Sequence, residues 1–151
     1  MKFRDYIKFR ESTEDISSNF DQIMRQTWGC GGSWFRKMFL HYNCQLDAGR
    51  TLTVKFFPSH PISEDGPMAE INFYQNVPNQ SQKDQDLEYQ ANKTLQAGTM
   101  DFLNRLKKFV TLLHPLGVWI QYTTDARRDR LYDRVITQAG YKKADMGVYR
   151  P

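Results

Sequence analysis

Cysteine is scarce in this chain, with Cys30 and Cys44 the only two among 151 residues. Two thiols are too few for the disulfide framework that staples small secreted scaffolds. Long apolar runs are missing as well, so nothing approaches the ~20 residues a membrane-spanning helix needs. The opening MKFRDYIKFR carries charge throughout and has no apolar centre, which excludes a signal peptide. These absences make a cytoplasmic, reducing compartment the expected location and exclude a membrane partner. Histidine is sparse too, at three residues. His41 and Cys44 are neighbours and Cys30 lies upstream. No second C-x-x-C or H-x-x-x-H completes a tetrahedral set, so no metal is expected. Glycine and proline together number 15, too few for a low-complexity chain.

What the chain does have is aromatic bulk, 14% of its residues. Hydrophobic content of 40% against 25% charged places it among globular proteins. Its length suits one domain, residues 1–151, with a core that needs no staples. The formal net charge is +4, and it is uneven. Residues 1–100 hold 11 basic and 12 acidic side chains, and residues 101–151 hold 10 and 5. A basic final third suits a phosphate-bearing ligand, nucleic acid, an acidic partner or simply water. No zinc-finger spacing and no aromatic RNA-binding motif runs along the chain, which argues against nucleic acid as the partner.

Along the chain, Phe3, Tyr6, Ile7 and Phe9 among charged residues suggest a strand over residues 2–10. Thr13 then caps a helix reaching about Gln26, with Ile16, Phe20, Ile23 and Met24 at helical spacing. The GCGG run of residues 29–32 breaks it. Ser33 caps a second short helix, Trp34 to His41. Thr51–Phe57 and Met68–Tyr74 alternate apolar and polar residues as strands do. Residues 76–97 form a polar insert. A helix follows, opened by Gly98 or Thr99, with Phe102, Leu103, Leu106, Phe109, Val110 and Leu113 as its apolar stripe. Pro115 and Gly117 stop it. Val118–Thr123 is a buried strand, Thr124 or Asp125 caps a last helix, and Gly140 ends that helix before a closing strand. The order β-α-α-β-β-α-β-α-β predicts an α/β fold with one mixed sheet flanked by helices.

The last third carries the most distinctive residues. Arg127-Arg128-Asp129-Arg130-Leu131-Tyr132-Asp133-Arg134 leads to Gly140-Tyr141 and then Val148-Tyr149. This run, with the element order above it, resembles the GNAT superfamily of N-acetyltransferases, in particular its small bacteriophage-encoded members. The resemblance covers the fold order throughout, and specific residues only in the last third. It implies acetyl-CoA as cofactor and direct acetyl transfer to a small-molecule or protein amine. It also implies that strands 68–75 and 118–123 run parallel and splay at their C-terminal ends, with the pantetheine arm between them. Backbone N–H groups near Gln75, Asn76 and Val77 would hold the thioester carbonyl. The pyrophosphate would rest at the start of the helix near Lys93, Gln96, Gly98 and Thr99. The family's R/Q-x-x-G-x-G/A signature is incomplete there: Met100 replaces the second glycine, and neither Arg nor Gln stands at the family spacing before Gly98.

Tyr132 matches the family's general acid, which protonates the departing CoA thiolate. The same residue also fits an apolar stripe of Leu131, Tyr132, Val135, Ile136 and Ala139. Glu70, mid-strand, is the candidate base, or else a solvated strand carboxylate. Asp129 and Asp133 interleave with Arg130 and Arg134 near helical neighbour spacing, as on a self-compensated solvent face. Three functions follow: an amine acetyltransferase; a catalytically silent module of the same fold that serves as a structural or interaction part of a larger assembly such as a phage virion; and, the weaker alternative, a small basic nucleic-acid-associated protein whose binding would collapse steeply with added salt.

Overall fold

The computed structural model describes residues 3–47, 50–59, 66–75, 96–123 and 129–151. Among these, α1 spans Phe3–Trp28, β1 Ser33–Phe35, β2 Phe39–Asp47, β3 Arg50–Phe57 and β4 Met68–Gln75. Then follow α2 Gln96–Leu113, a 3-10 turn His114–Leu116, β5 Trp119–Thr123, α3 Asp129–Gln138, β6 Lys142–Asp145 and β7 Val148–Arg150. The strands form one mixed sheet in the order β1-β2-β3-β4-β5-β7-β6. The pair β4–β5 is parallel and the other neighbouring pairs are antiparallel.

The expected mixed α/β class holds, but the order of elements differs at the N-terminal end. Residues 3–10 are helical and continuous with α1, which removes the expected first strand. Phe3, Tyr6 and Ile7 stand at i, i+3 and i+4, a helical spacing, and no glycine or proline interrupts the chain before Gly29. Thr13 therefore lies inside a helix instead of capping one. The expected helix Trp34–His41 is the β1–β2 hairpin. Leu40, Tyr42 and Cys44 are buried on one face of β2, a period of two that a helix cannot satisfy. The turn is made by Arg36 and Lys37, both at positive φ (50° and 55°), and Met38 N–H donates to the Phe35 carbonyl at 3.1 Å. The closing segment is also a hairpin, β6–β7 turning at Gly147, where a single strand was expected.

All three helices pack on one face of the sheet. Leu40, Tyr42 and Cys44 of β2, Leu52, Val54 and Phe56 of β3, Ala69 and Ile71 of β4, Ile120 and Tyr122 of β5, and Tyr149 of β7 point into that layer and are buried. Phe20 of α1 stacks on Phe56 at 3.9 Å and meets Phe109 of α2 edge-on at 6.1 Å. Burying one such ring contributes about 1.5–3 kcal/mol, so this cluster ties α1, α2 and the sheet together. Among the described residues no helix covers the opposite face. The described residues thus form two layers, the sheet and the helices on one side of it.

The loop after α1 is held at several points. The Gly29 N–H bonds the carbonyls of Met24 and Arg25 at 3.1 Å. Asp21 accepts from Gly32 N–H at 3.1 Å, from the Tyr42 hydroxyl at 3.0 Å and from Arg25 Nε at 2.8 Å. Burial alone would raise the Asp21 carboxyl, but the hydrogen bonds from Arg25, Gly32 and Tyr42 outweigh it and hold the group below its ordinary value. Tyr42 is pushed up by burial and by the Asp21 charge. Cys30 and Cys44 form a disulfide, with Cα atoms 5.7 Å apart. The two cysteines, too few for a disulfide framework, make a single staple, formed because the glycine loop folds back onto β2.

Candidate functional site

The parallel pair β4–β5 brings together most of what the sequence singled out. Five residues of each strand stand in register, from Met68 opposite Trp119 to Asn72 opposite Thr123. That register uses the whole of β5, while Phe73–Gln75 of β4 continue beyond it. On its other side β4 pairs with β3 without interruption from Met68 to Gln75, so no bulge forms up to Gln75. Register is thus kept over β5, and β4 carries no bulge up to Gln75; the chain directly past Thr123 and past Gln75, where the resemblance puts the splay and the bulge, lies outside the described residues.

Tyr132 lies on the inward side of α3, 3% exposed. Its ring packs on Phe73 of β4 (5.4 Å), Tyr122 of β5 (5.7 Å) and Phe102 of α2 (6.1 Å). Trp28 extends this aromatic cluster through Phe73 and Phe102. The amphipathic pattern of α3 explains the position, since Tyr132 and Ile136 are one turn apart and both buried, whereas Leu131 is exposed. Beside Tyr132 runs a polar chain that the linear sequence did not reveal. The Tyr149 hydroxyl donates to the Tyr122 hydroxyl at 3.3 Å, and Tyr122 donates to Asp133 Oδ1 at 3.0 Å. Lys143 Nζ donates to Asp133 Oδ2 at 3.0 Å. Asp133 thus faces β5 and β6, and does not simply balance the arginines of its own helix. The chain closes the β5–α3–β6 crossover with satisfied polar groups, which a buried layer requires.

Glu70 is at the middle of β4 between Ala69 and Ile71, which are buried in the helical layer. The alternation of a strand sends Glu70 to the opposite face, opposite Lys55 on one side and Gln121 on the other. Tyr132 is on the helical face. The sheet separates the two, so no single substrate pose can reach both the expected acid and the expected base.

Of the expected cofactor-binding positions, Gln75 ends β4 opposite Arg50. Gln96, Gly98 and Thr99 fall in the first turn of α2, so Gly98 is inside the helix and not ahead of it. The amides of a first helical turn have no partners within the helix. Asn76, Val77 and Lys93 lie outside the described residues, as do Arg127 and Arg128. No group of three or more metal-ligating side chains occurs among the described residues. His114 instead meets the Gly140 carbonyl at 3.2 Å and the Tyr141 ring at 5.1 Å. No helix among the described residues is long and apolar enough to cross a membrane.

Comparison with family models, curated proteins and solved structures returned no match.

The face that carries Glu70 is the other candidate surface. At one end Phe35, Phe39 and Phe57 form a row with ring separations of 5.2 and 5.1 Å. Register continues that row through Met68 to Trp119. The next row reads His41, Lys55, Glu70 and Gln121, and the one after it Asn43, Thr53, Asn72 and Thr123. At the far end Thr51 is buried and donates to Gln45 at 3.1 Å. Sequence reading missed this surface because each row takes one residue from each strand. The residues are adjacent in space and scattered along the chain.

Proposed function

We propose that this chain is a catalytically silent interaction domain built on a GNAT-like order of strands, working through the sheet face that no described helix covers. The observation that carries the reading is the placement of Glu70 and Tyr132 on opposite faces. An acetyl transfer needs a base at the amine and an acid at the departing thiolate, both within hydrogen-bond reach of one bound substrate pair. Here the tyrosine is packed among Phe73, Phe102 and Tyr122, and the carboxylate faces away from it.

The acetyltransferase itself is the second reading. Its support is the parallel β4–β5 pair joined through α2, with β7 lying between β5 and β6. On that reading Tyr132 is the acid, Glu70 the base, and acetyl-CoA binds beyond Thr123 where β4 overhangs β5. Thiol release from acetyl-CoA, measured against a panel of small amines and lysine peptides, separates the two. The interaction reading expects no release above spontaneous hydrolysis. A rate that saturates in acetyl-CoA and falls in Tyr132→Phe would overturn it.

A further inference from the structure

We infer that the sheet face that no described helix covers binds single-stranded nucleic acid, an inference that rests on the reading of this chain as an interaction domain. The cross-strand row Phe35, Phe39, Phe57, Met68 and Trp119 spans five strands, about 20 Å at the usual strand spacing. Open sheets bind unpaired bases by stacking them on such rings, typically two or three bases per sheet. Phe35 is 49% exposed and Phe39, Phe57, Met68 and Trp119 are half-buried, so Phe35 is the member of the row most open to a stacked base.

Cations accompany the rings. The Arg36 guanidinium lies 5.3 Å above Phe35, and Lys55 Nζ lies 5.7 Å from the centre of Phe39. Arg36 and Lys37 occupy the left-handed region at the hairpin tip, which costs a side chain without special turn chemistry roughly 1 kcal/mol or more, and such strain collects at functional sites. At the opposite edge Lys142 stands opposite Arg150 with both exposed. Alternation places them on this face, since Lys143 and Tyr149 point to the helices. Glu70 and Asp145 are the acidic side chains among these rows, so the surface is net cationic and suits a phosphate backbone.

The middle rows supply the remaining chemistry. Asn43, Asn72 and Thr123 are exposed, and Thr53 and Gln121 are half-buried. Amide and hydroxyl groups of this kind can donate to and accept from the edges of splayed bases. An anionic bilayer would use the exposed aromatics and cations at the hairpin tip, but it has no use for two rows of amides and hydroxyls. Duplex DNA cannot offer its base faces to a ring row.

The test is fluorescence anisotropy of labelled oligothymidine and oligouridine of roughly a dozen nucleotides, a length within single-strand site sizes. A hairpin duplex and phosphatidylserine vesicles serve as competitors. Both single strands should bind, with affinity falling as salt rises and a log–log slope of about −0.7 per phosphate neutralised. Phe35→Ala, on an exposed edge, should weaken binding about 5- to 100-fold, the effect of losing one stacked base. Lys55→Ala should reduce the salt slope by nearly one contact. Lys107→Ala, an exposed cation on the helical side, should leave affinity within about two-fold. Circular dichroism and melting of each variant separate lost binding from lost folding. Absence of binding at about 50 mM salt overturns the inference, as does equal sensitivity to Lys55→Ala and Lys107→Ala with none to Phe35→Ala. Capture by vesicles alone, weakened by Phe35→Ala, also overturns the nucleic-acid assignment while leaving the interaction reading intact. Acetyl-CoA turnover would instead remove the interaction reading itself.

Discussion

Asp21 offers the sharpest test of how the N-terminal half is held, because its two oxygens do different work. Oδ1 accepts from the Gly32 amide at 3.1 Å and from the Tyr42 hydroxyl at 3.0 Å. Oδ2 pairs with Arg25, whose side chain is 63% exposed. Asp21→Ala leaves the Tyr42 hydroxyl, on a fully buried ring, and the Gly32 amide without an acceptor. Each orphaned group costs about 1–3 kcal/mol, so a loss of about 2–6 kcal/mol is expected. Asp21→Asn keeps an oxygen at the Oδ1 position for both donors. It gives up charge assistance and the solvent-screened Arg25 pair, and should cost about 0.5–1.5 kcal/mol. Urea denaturation at pH 7 measures both. The pH dependence follows from the lowered carboxyl. A folded-state value below the unfolded one stabilises the fold above the unfolded value, ordinarily 3.8, and that contribution fades as pH falls through the folded value. The gap between the native protein and Asp21→Asn should therefore close on acidification below about pH 4. Equal damage from Asn and Ala, or a gap unchanged at low pH, would refute the argument.

Three further outcomes are expected. Gly147 has φ of +71°, and a Cβ there would stand 2.7 Å from the Tyr122 carbonyl oxygen; Gly147→Ala should cost at least about 2 kcal/mol, read as a lower melting temperature. Ser17 is 5% exposed and its hydroxyl has no hydrogen-bond partner among the described residues; Ser17→Ala should therefore stabilise the protein by about 0.5–2 kcal/mol, and a destabilised variant in urea titration would count against that account of its environment. Reduction of Cys30–Cys44, which closes a separation of 14 residues, should lower stability by up to about 3 kcal/mol, seen by comparing melts with and without a phosphine reductant.

The parts of the fold legible in the sequence were those with local signals. Strict alternation at Thr51–Phe57 and Met68–Tyr74 marked two strands, and the stripe from Phe102 to Leu113 marked a helix. The end of that helix was equally plain, since Gly117 takes φ of 71° and donates to the His114 carbonyl. The hairpin at Trp34–Tyr42 was misread because aromatic residues suit either structure and the turn uses Arg36 and Lys37 where glycine or asparagine is usual. The role of Cys30 was hidden for a different reason: its partner is set by a fold-back of the glycine loop. Tyr132 was legible as a buried helix residue, but its separation from Glu70 depends on which face of the sheet the helices cover. That is decided by long-range packing of Phe20, Phe56 and Phe109, which no local pattern records.

The measurement closest to the central claim is a calorimetric titration of acetyl-CoA into the intact protein. With Tyr132 packed in the helical layer, Glu70 on the other face and β5 in register along its length, the account predicts no saturable heat up to millimolar ligand. A saturable, one-to-one binding isotherm that is lost in Tyr132→Phe would contradict it and restore the acetyltransferase.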